Sequence, residues 1–442
     1  MKTKEMKGIT LVALVVTIVV LLILAGVSIN LVLGNNGIIA KAKDAETKSA
    51  EATQNDLIGM NELAQQLEEK INGSAGSGSG NGGAGGSGAG TKVPAEATAE
   101  TAPYFPDNTF TKKEGTIDTG LVIQDANGNE YVWVVVPRTT AVYATTGLGK
   151  TTFTDADYTS IENDLKEYTK TYRGSTSYSD VYYPDDKNVG WFADATAYNN
   201  LKNSMLKGVY ENGGFYVGRY EAGIIENRTS KSATNSDGKY TIEGMPTPLS
   251  KADAYPYTYV TRTQAQNLAS NVNSGTKTSS LMFGVQWDLV LAFMHNKGNI
   301  EDSILTSNST TIGNYRDSVF QLSQTGQYAV YSNYSLSSTW NPTTTATANF
   351  VDSSRNKIAQ SSNGNGILVT TGTSEKNKVM NIYDVAGNVI EWTLEKTSDT
   401  NYPCARRGGY YDSTGSGIPA ADRNGSSTDY SVVFFGFRVS LF

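Results

Sequence analysis

Hydrophobic residues concentrate in one long run near the start of the chain. No charged residue lies between Ile9 and Ala40, whereas Lys2, Lys4 and Lys7 precede the run. About 20 apolar residues span a bilayer as a helix, because a helix satisfies its own backbone groups. The run is too long for the apolar region of a cleaved secretory signal. The pattern therefore predicts a single membrane-spanning helix with a cytoplasmic amino terminus.

A weaker helical pattern continues to about residue 72. Apolar residues recur there at spacings of three and four, which is typical of an amphipathic helix: Leu57, Met60, Leu63, Ala64, Leu67 and Ile71. Two interpretations stay open. The helix is solvated on all sides, or its apolar stripe packs against neighbouring subunits in a filament.

A flexible linker (residues 73–103) and a folded domain (residues 104–442, called the head below) follow. Residues 73–90 are only Gly, Ser, Ala and Asn, and large apolar residues stay rare through residue 103. Such a stretch buries too little surface to fold, so residues 73–103 are predicted to be a flexible linker. Residues 104–442 are predicted to form an α+β domain with short strands and long loops.

The predicted elements of the head follow from its local patterns. Apolar and aromatic runs predict strands at 131–136, 214–220 and 432–441. Helical spacing predicts helices at 160–172, 197–210, 263–271 and 281–295. Residues 299–372 are rich in Ser, Thr, Asn and Gly, and are predicted to form ordered loops.

Composition narrows the function classes. The net charge is −7 with no basic stripe, so nucleic acid is not an expected partner. The single cysteine, Cys404, cannot form an intramolecular disulfide, and the single histidine, His295, excludes a His-rich zinc site. The 26 tyrosines and 44 glycines favour a turn-rich extracellular domain.

The amino-terminal motif resembles the type IV prepilins. Lys7-Gly8 precedes the apolar helix, and Thr10 follows Ile9. The resemblance implies that a prepilin peptidase cuts after Gly8 and that Ile9 becomes the methylated amino terminus. It also implies anchoring in the bacterial cell membrane with the head outside, and contacts with other pilin-like subunits.

One position departs from the prepilin pattern. The family has glutamate at the fifth mature residue, where this chain has Ala13. That carboxylate neutralises a neighbouring subunit's amino terminus in the filament, so its loss favours a minor, tip-located or pilin-like protein over a major pilin. An ordinary signal anchor with the same orientation is the alternative.

The head resembles a second family through four motifs in order. They are Gly-Phe-Tyr-Val-Gly-Arg-Tyr-Glu at 214–221, Ile-Tyr-Asp-Val-Ala-Gly-Asn-Val-Ile-Glu-Trp-Thr at 382–393, Arg-Gly-Gly at 407–409 and Gly-Phe-Arg-Val at 436–439. Together they resemble the formylglycine-generating-enzyme (sulfatase-modifying factor) family. That resemblance implies a variant of the C-type lectin fold.

The resemblance does not extend to the catalytic cysteines. Active members have two, which bind copper and follow Arg-Gly-Gly, and the matching positions are Ser413 and Ile418. Cys404 precedes the motif, and Ile390 replaces the aromatic residue that usually precedes the glutamate. Formylglycine synthesis is therefore not expected, and the chain is predicted not to be an enzyme.

The same motif implies a calcium site. By resemblance, the ligands are the side chains of Asp384 and Glu391 with the carbonyls of Gly387 and Val389. Oxygen ligands of this kind suit Ca²⁺. In the alternative, Asp384 caps a turn and Glu391 pairs with an arginine, either Arg407 or Arg438.

The segment at 410–430 is the predicted ligand-binding surface. Its composition is that of binding loops, in which tyrosine gives rigid contact area and small polar residues give adaptable hydrogen bonds. The candidate residues are Tyr410, Tyr411, Asp412, Ser413, Ser416, Ile418, Asn424, Ser426, Ser427, Asp429 and Tyr430. This layout is similar to the variable proteins of diversity-generating retroelements, which randomise this part of a lectin-like domain.

The sequence is compatible with three functions. The first is a cell-surface or pilus-associated protein that binds an extracellular protein or glycan through this surface, as an adhesin or receptor. The second is a divergent enzyme of the formylglycine-generating family. The third is a minor structural pilin subunit. The first explains the anchor, the linker and the missing cysteines together.

Overall fold

The computed structural model describes residues 91–93, 95–174, 178–230, 234–332, 335–347, 349–359 and 366–442. These belong to one of the two units into which the chain divides, Gly85–Phe442. The predicted leader at 1–8 with its processing site at Gly8 and Ile9, the predicted helix at 9–72 and most of the linker lie outside the described residues. Among the helices that are described, none is both long enough and apolar enough to cross a bilayer.

The head mixes helices with many short strands, which confirms an α+β architecture. The described helices are α1 (Asp155–Tyr168), α2 (Lys170–Arg173), α3 (Ala195–Asn212), α4 (Arg262–Ala269), α5 (Gly284–Asn296) and α6 (Asp302–Thr306). Each of the four predicted helices overlaps one or two of these.

Two sheets form the framework of the head. The strands are β1 (Thr111–Glu114), β2 (Val122–Gln124), β3 (Glu130–Val135), β4 (Tyr178–Ser179), β5 (Gly214–Gly218), β6 (Gly223–Ile224), β7 (Tyr255–Pro256), β8 (Ser279–Leu281), β9 (Gln327–Ser332), β10 (Ser335–Leu336), β11 (Asn341–Pro342), β12 (Ile367–Val369), β13 (Lys378–Val379), β14 (Ile382–Tyr383), β15 (Ile390–Thr397), β16 (Cys404–Arg407), β17 (Arg423–Ser426), β18 (Phe435–Phe437) and β19 (Val439–Leu441). A six-stranded antiparallel sheet has the order β1-β2-β3-β5-β19-β8. A five-stranded sheet has the order β17-β16-β15-β18, with β4 also paired to β15 and with β15 and β18 parallel.

A third, smaller sheet lies in the segment predicted to be loops. Strand β9 pairs with β10, β11 and β12, and helix α6 precedes them. Most of these strands are only two or three residues long. Strand β12 pairs with a strand that is distant in the sequence, with Ile367 opposite Val330. These strands pack around a separate apolar cluster, formed by Phe320, Leu322, Tyr328, Val351, Ile367 and Val369.

The carboxyl end joins the two main sheets. The single strand predicted at 432–441 is two strands, β18 in the five-stranded sheet and β19 in the six-stranded sheet. Arg438 lies at the break with 1% of its surface exposed. Its guanidinium donates to the carbonyls of Gly218 at 2.9 Å and Tyr383 at 2.8 Å, and to the Glu391 carboxylate. A buried cation with these partners ties both sheets to one position.

The head begins earlier in the chain than the predicted boundary at residue 104. Val93 is 3% exposed and belongs to the main apolar core. Trp133 Nε1 donates to Thr101 Oγ1 at 2.8 Å, and that hydroxyl donates to the Gly213 carbonyl at 2.9 Å. The end of the predicted linker is therefore packed structure.

Candidate ligand-binding cleft

A cleft of about 440 Å³ opens beside the five-stranded sheet. Its walls come from strands β15 to β18 and from the loops next to β16, β17 and β18. The lining residues are Ile390, Tyr402, Arg406, Tyr410, Ile418, Gly425, Ser426, Ser427, Tyr430, Phe434 and Phe435. Five of these eleven residues lie on strands, which hold them in place before a ligand arrives.

Aromatic pairs shape the walls. The Tyr410 and Phe434 rings stack at 4.7 Å with an interplanar angle of 23°. Tyr430 meets Phe435 edge to face at 5.1 Å, and its side chain is among the exposed large ones of the head. These contacts fix two tyrosines at the cleft while leaving part of each ring free.

The backbone beside the cleft requires a glycine. Strands β16 and β17 pair in register, with Ala405 opposite Gly425. A Cβ atom at Gly425 would lie 2.4 Å from the Tyr402 carbonyl oxygen, which is too close for any side chain. This close approach brings the Tyr402 loop to the rim of the cleft.

Five of the predicted ligand-binding residues meet in the cleft: Tyr410, Ile418, Ser426, Ser427 and Tyr430. The structure places the other six elsewhere. Asn424 is exposed on β17, and Asp429 accepts a hydrogen bond from Ser427 Oγ at 2.7 Å. Ser416 lines a second cleft of about 490 Å³ between α2 and β17.

Tyr411, Asp412 and Ser413 turn toward the interior. Tyr411 is fully buried, and its ring meets Tyr331 at 5.5 Å. Ser413 Oγ donates to the Tyr410 carbonyl at 2.8 Å and closes a turn. Asp412 is half-buried, and burial raises the pKa of its carboxyl to about 6. These three residues support the loop that carries Tyr410 rather than lining the cleft.

Arg406 is a lining residue that the sequence analysis missed. Its guanidinium lies over the Phe435 ring at 5.5 Å, and its Nε is buried without a hydrogen-bond partner. Burial lowers the pKa of this guanidinium from its ordinary value, although Asp422 acts in the opposite direction. The sequence feature that could have indicated this residue is its position directly before the Arg-Gly-Gly motif.

A buried ionic group lies behind the cleft strands. Arg407 donates to Asp288 at 2.9 Å, and Arg423 donates to Asp288 at 2.5 Å and to Glu395 at 2.9 Å. Asp288, Glu395 and Arg407 have no exposed side-chain surface. Arg407 precedes the predicted 410–430 surface and Arg423 lies within it, so these ion pairs anchor the segment at two points.

Cys404 faces the core on β16. Its side chain is buried, and burial raises the pKa of the thiol to about 11. A thiol in such surroundings is a poor nucleophile, because the reactive thiolate is disfavoured. Ser413 and Ile418 occupy the positions matched to the catalytic cysteines, the first in a turn and the second in the cleft.

The predicted calcium ligands are engaged with protein groups. Glu391 accepts hydrogen bonds from Arg438 Nη2 at 2.7 Å and Nε at 3.2 Å. Asp384 accepts from the Gly372 amide at 3.0 Å and from Asn377 at 3.3 Å, with a φ of +56°. The structure thus has the turn cap and the ion pair of the alternative interpretation, with Arg438 as the arginine.

Calcium binding itself stays a prediction. In the part of the chain that the structure describes, no group of three or more His, Cys, Asp or Glu residues is arranged to hold a metal. A third carboxylate, that of Glu221, interacts electrostatically with Asp384 and Glu391. It accepts hydrogen bonds from the Asn388 side chain at 2.7 Å and from the Val389 amide at 3.1 Å. In the observed arrangement the Glu391 carboxylate is paired with Arg438.

Comparisons with known proteins give no family. No family model and no curated protein matches the chain. A crystal structure of CarF is similar at 12% identity with a TM-score of 0.29, and covers 60% of this chain and 95% of its own.

Proposed function

We propose that the chain is a bacterial cell-surface or pilus-associated ligand-binding protein of the adhesin or receptor kind. Its lectin-like head binds an extracellular protein or glycan in the cleft beside β16 and β17, by noncovalent contacts. The membrane helix and the linker predicted from the sequence would hold this head away from the cell. Membrane anchoring, processing at Gly8, and variability at 410–430 remain parts of the proposal.

The observation that supports this function is the meeting of five predicted binding residues in one cleft of about 440 Å³. Small-ligand and peptide sites are typically concave and apolar, with a few placed polar groups. Tyrosine and arginine are also the residues that dominate binding energy at protein interfaces. The buried thiol of Cys404 favours binding over thiol chemistry at this site.

Binding to arrays of glycans and bacterial or host surface proteins tests the proposal. We expect the full-length chain to bind, and Tyr430→Ala and Ile418→Ala each to weaken binding about tenfold or more. Ile225→Ala is the matched control, since Ile225 is 79% exposed and does not line the cleft. Binding that is unchanged in both cleft variants would place the ligand site elsewhere.

A further inference from the structure

Arg406 brings to the cleft a positive charge that is not paired in a salt bridge with any described carboxylate. None of the eleven lining residues is an aspartate or a glutamate, and Arg406 is the charged one among them. Asp422 attracts the guanidinium electrostatically, yet no hydrogen bond joins the two side chains. The neighbouring arginines 407 and 423 differ, because each is paired with buried carboxylates.

The surroundings make this charge costly until a ligand arrives. The Nε of Arg406 is shielded from water and has no hydrogen-bond partner, and the guanidinium lies over Phe435. A buried charged donor without a partner costs free energy. Nε is closed to the cleft as well as to water, but Arg406 is partly exposed and lines the cleft, so a carboxylate bound there would offset the positive charge that burial disfavours. Guanidinium suits a carboxylate best, because its planar N–H groups match two oxygens.

The remaining walls favour an apolar neighbour for that carboxylate. Ile390, Ile418, Phe434 and Phe435 offer hydrocarbon surface, and the uncharged polar groups come from two serines and three tyrosines. A sugar ring carries many hydroxyl groups, and each needs a hydrogen-bond partner when it is buried. A protein segment with an acidic residue beside a large apolar residue needs fewer hydrogen-bond partners.

We infer that the cleft binds a protein segment in which a carboxylate, from Asp, Glu or a chain terminus, pairs with Arg406 while an adjacent apolar side chain packs on Phe434 and Ile418. This inference rests on the proposed function, and narrows its ligand from protein or glycan to an acidic, apolar peptide segment.

A phage-displayed library of random linear peptides, panned on the immobilised full-length chain, tests the inference. We expect the enriched peptides to carry Asp, Glu or a free carboxyl terminus beside an aromatic or large aliphatic residue. For a synthetic peptide of that sequence, Arg406→Gln should weaken binding about tenfold to a hundredfold, since a charged hydrogen bond is lost. Arg406→Lys should retain part of the affinity.

A matched control separates local from overall charge. Lys170→Gln removes the same unit of charge from a side chain that is 71% exposed and does not line the cleft, and should leave affinity unchanged. Thermal melting of each variant confirms that it is folded.

The outcomes distinguish the two levels of the proposal. Peptides that depend on Tyr430 but lack an acidic group, or that bind Arg406→Gln as well as wild type, would overturn the inference and leave the binding function standing. Binding confined to glycans on a parallel array would overturn it in the same way. If no probe showed binding that depends on Tyr430, the inference and the proposed function would both fail.

Discussion

A single guanidinium, that of Arg438, connects the two main sheets of the head. Replacement by methionine would leave the Glu391 carboxylate buried without its partner, which typically costs about 3–5 kcal/mol. We therefore expect Arg438→Met to lower the free energy of unfolding by about that amount, measured by urea titration. Lys207→Met, at a side chain that is 48% exposed, should change it by less than about 1 kcal/mol. Equal effects of the two substitutions would show that the buried pair is not what joins the sheets.

Lys357 makes the stability of the head depend on pH. Its ammonium is buried and donates to Asn314 Oδ1 at 2.7 Å and to the Tyr315 carbonyl. Burial lowers the pKa of this lysine from 10.5 to about 7, against the attraction of Asp317 and Asp412. At a pH between these two pKa values, Lys357 is protonated in the unfolded chain and deprotonated in the folded chain. Stability should therefore rise as the pH increases above about 7.

Melting temperatures across this pH range measure the effect. The rise should be smaller in Lys357→Met, which cannot titrate, and should persist in Lys239→Met, a matched change at an exposed turn. Parallel curves for wild type and Lys357→Met would contradict the prediction.

At the residue scale, the sequence predicted part of the cleft. Tyr410 and Tyr430 belong to it, and tyrosine in binding loops supplies rigid contact area. Adjacent Tyr411 points into the core, and no periodicity distinguishes the two tyrosines in an irregular loop. Arg406 could not be predicted from the sequence, because its position in the cleft without a hydrogen-bonded carboxylate depends on how β16, β17 and the turn at Asp422 pack.

At the element scale, helix α5 depends on a residue far away in the sequence. Asp180 is fully buried, and its two carboxylate oxygens accept from the Gly284 amide at 2.7 Å and the Val285 amide at 3.0 Å. A carboxylate at a helix amino terminus satisfies unpaired N–H groups and the helix dipole. Gly284 itself permits the close approach of Glu395, since a Cβ there would lie 2.4 Å from that carboxylate.

Removing this cap should cost more than removing an ordinary one. Asp180→Ala leaves two buried N–H groups without partners, so we expect a loss of about 2–4 kcal/mol in urea unfolding. Asp194→Ala removes the exposed cap of α3, which makes one bond to the Ala197 amide at 2.9 Å, and should cost about 1 kcal/mol. A smaller loss for Asp180→Ala than for Asp194→Ala would refute this account.

Helices were easier to predict than strands for a physical reason. The spacing of apolar residues in α3 and α5 is visible within one segment. Strands β10 to β12 are only two or three residues long, and β12 pairs with β9 across about 40 residues. The division of the chain end into β18 and β19 could not be read from an unbroken apolar run. It follows from Arg438, whose partners lie in three other parts of the chain.

At the scale of the whole head, the cleft lies on strands that buried ion pairs hold in place. Strands β15 and β16 form its back, and the buried pairs of Arg407 and Arg423 with Asp288 lie behind them. A framework of this kind limits motion of Tyr410 and Arg406 and so lowers the entropy lost on binding. Variation of exposed residues such as Asn424 and Ser416 would leave these buried pairs intact.

The amino-terminal border of the head provides the last test. A chain that begins at residue 85 keeps Val93 in the core and Thr101 paired with Trp133, whereas a chain that begins at residue 104 loses both. Exposing the pocket of a buried valine costs about 1.5–3 kcal/mol, and an unpaired buried indole N–H about 1–3 kcal/mol. We expect the shorter chain to unfold at a clearly lower urea concentration, by about 3 kcal/mol or more. Coincident unfolding curves would return residues 91–103 to the linker, and the tether of the proposed display protein would then be longer by that segment.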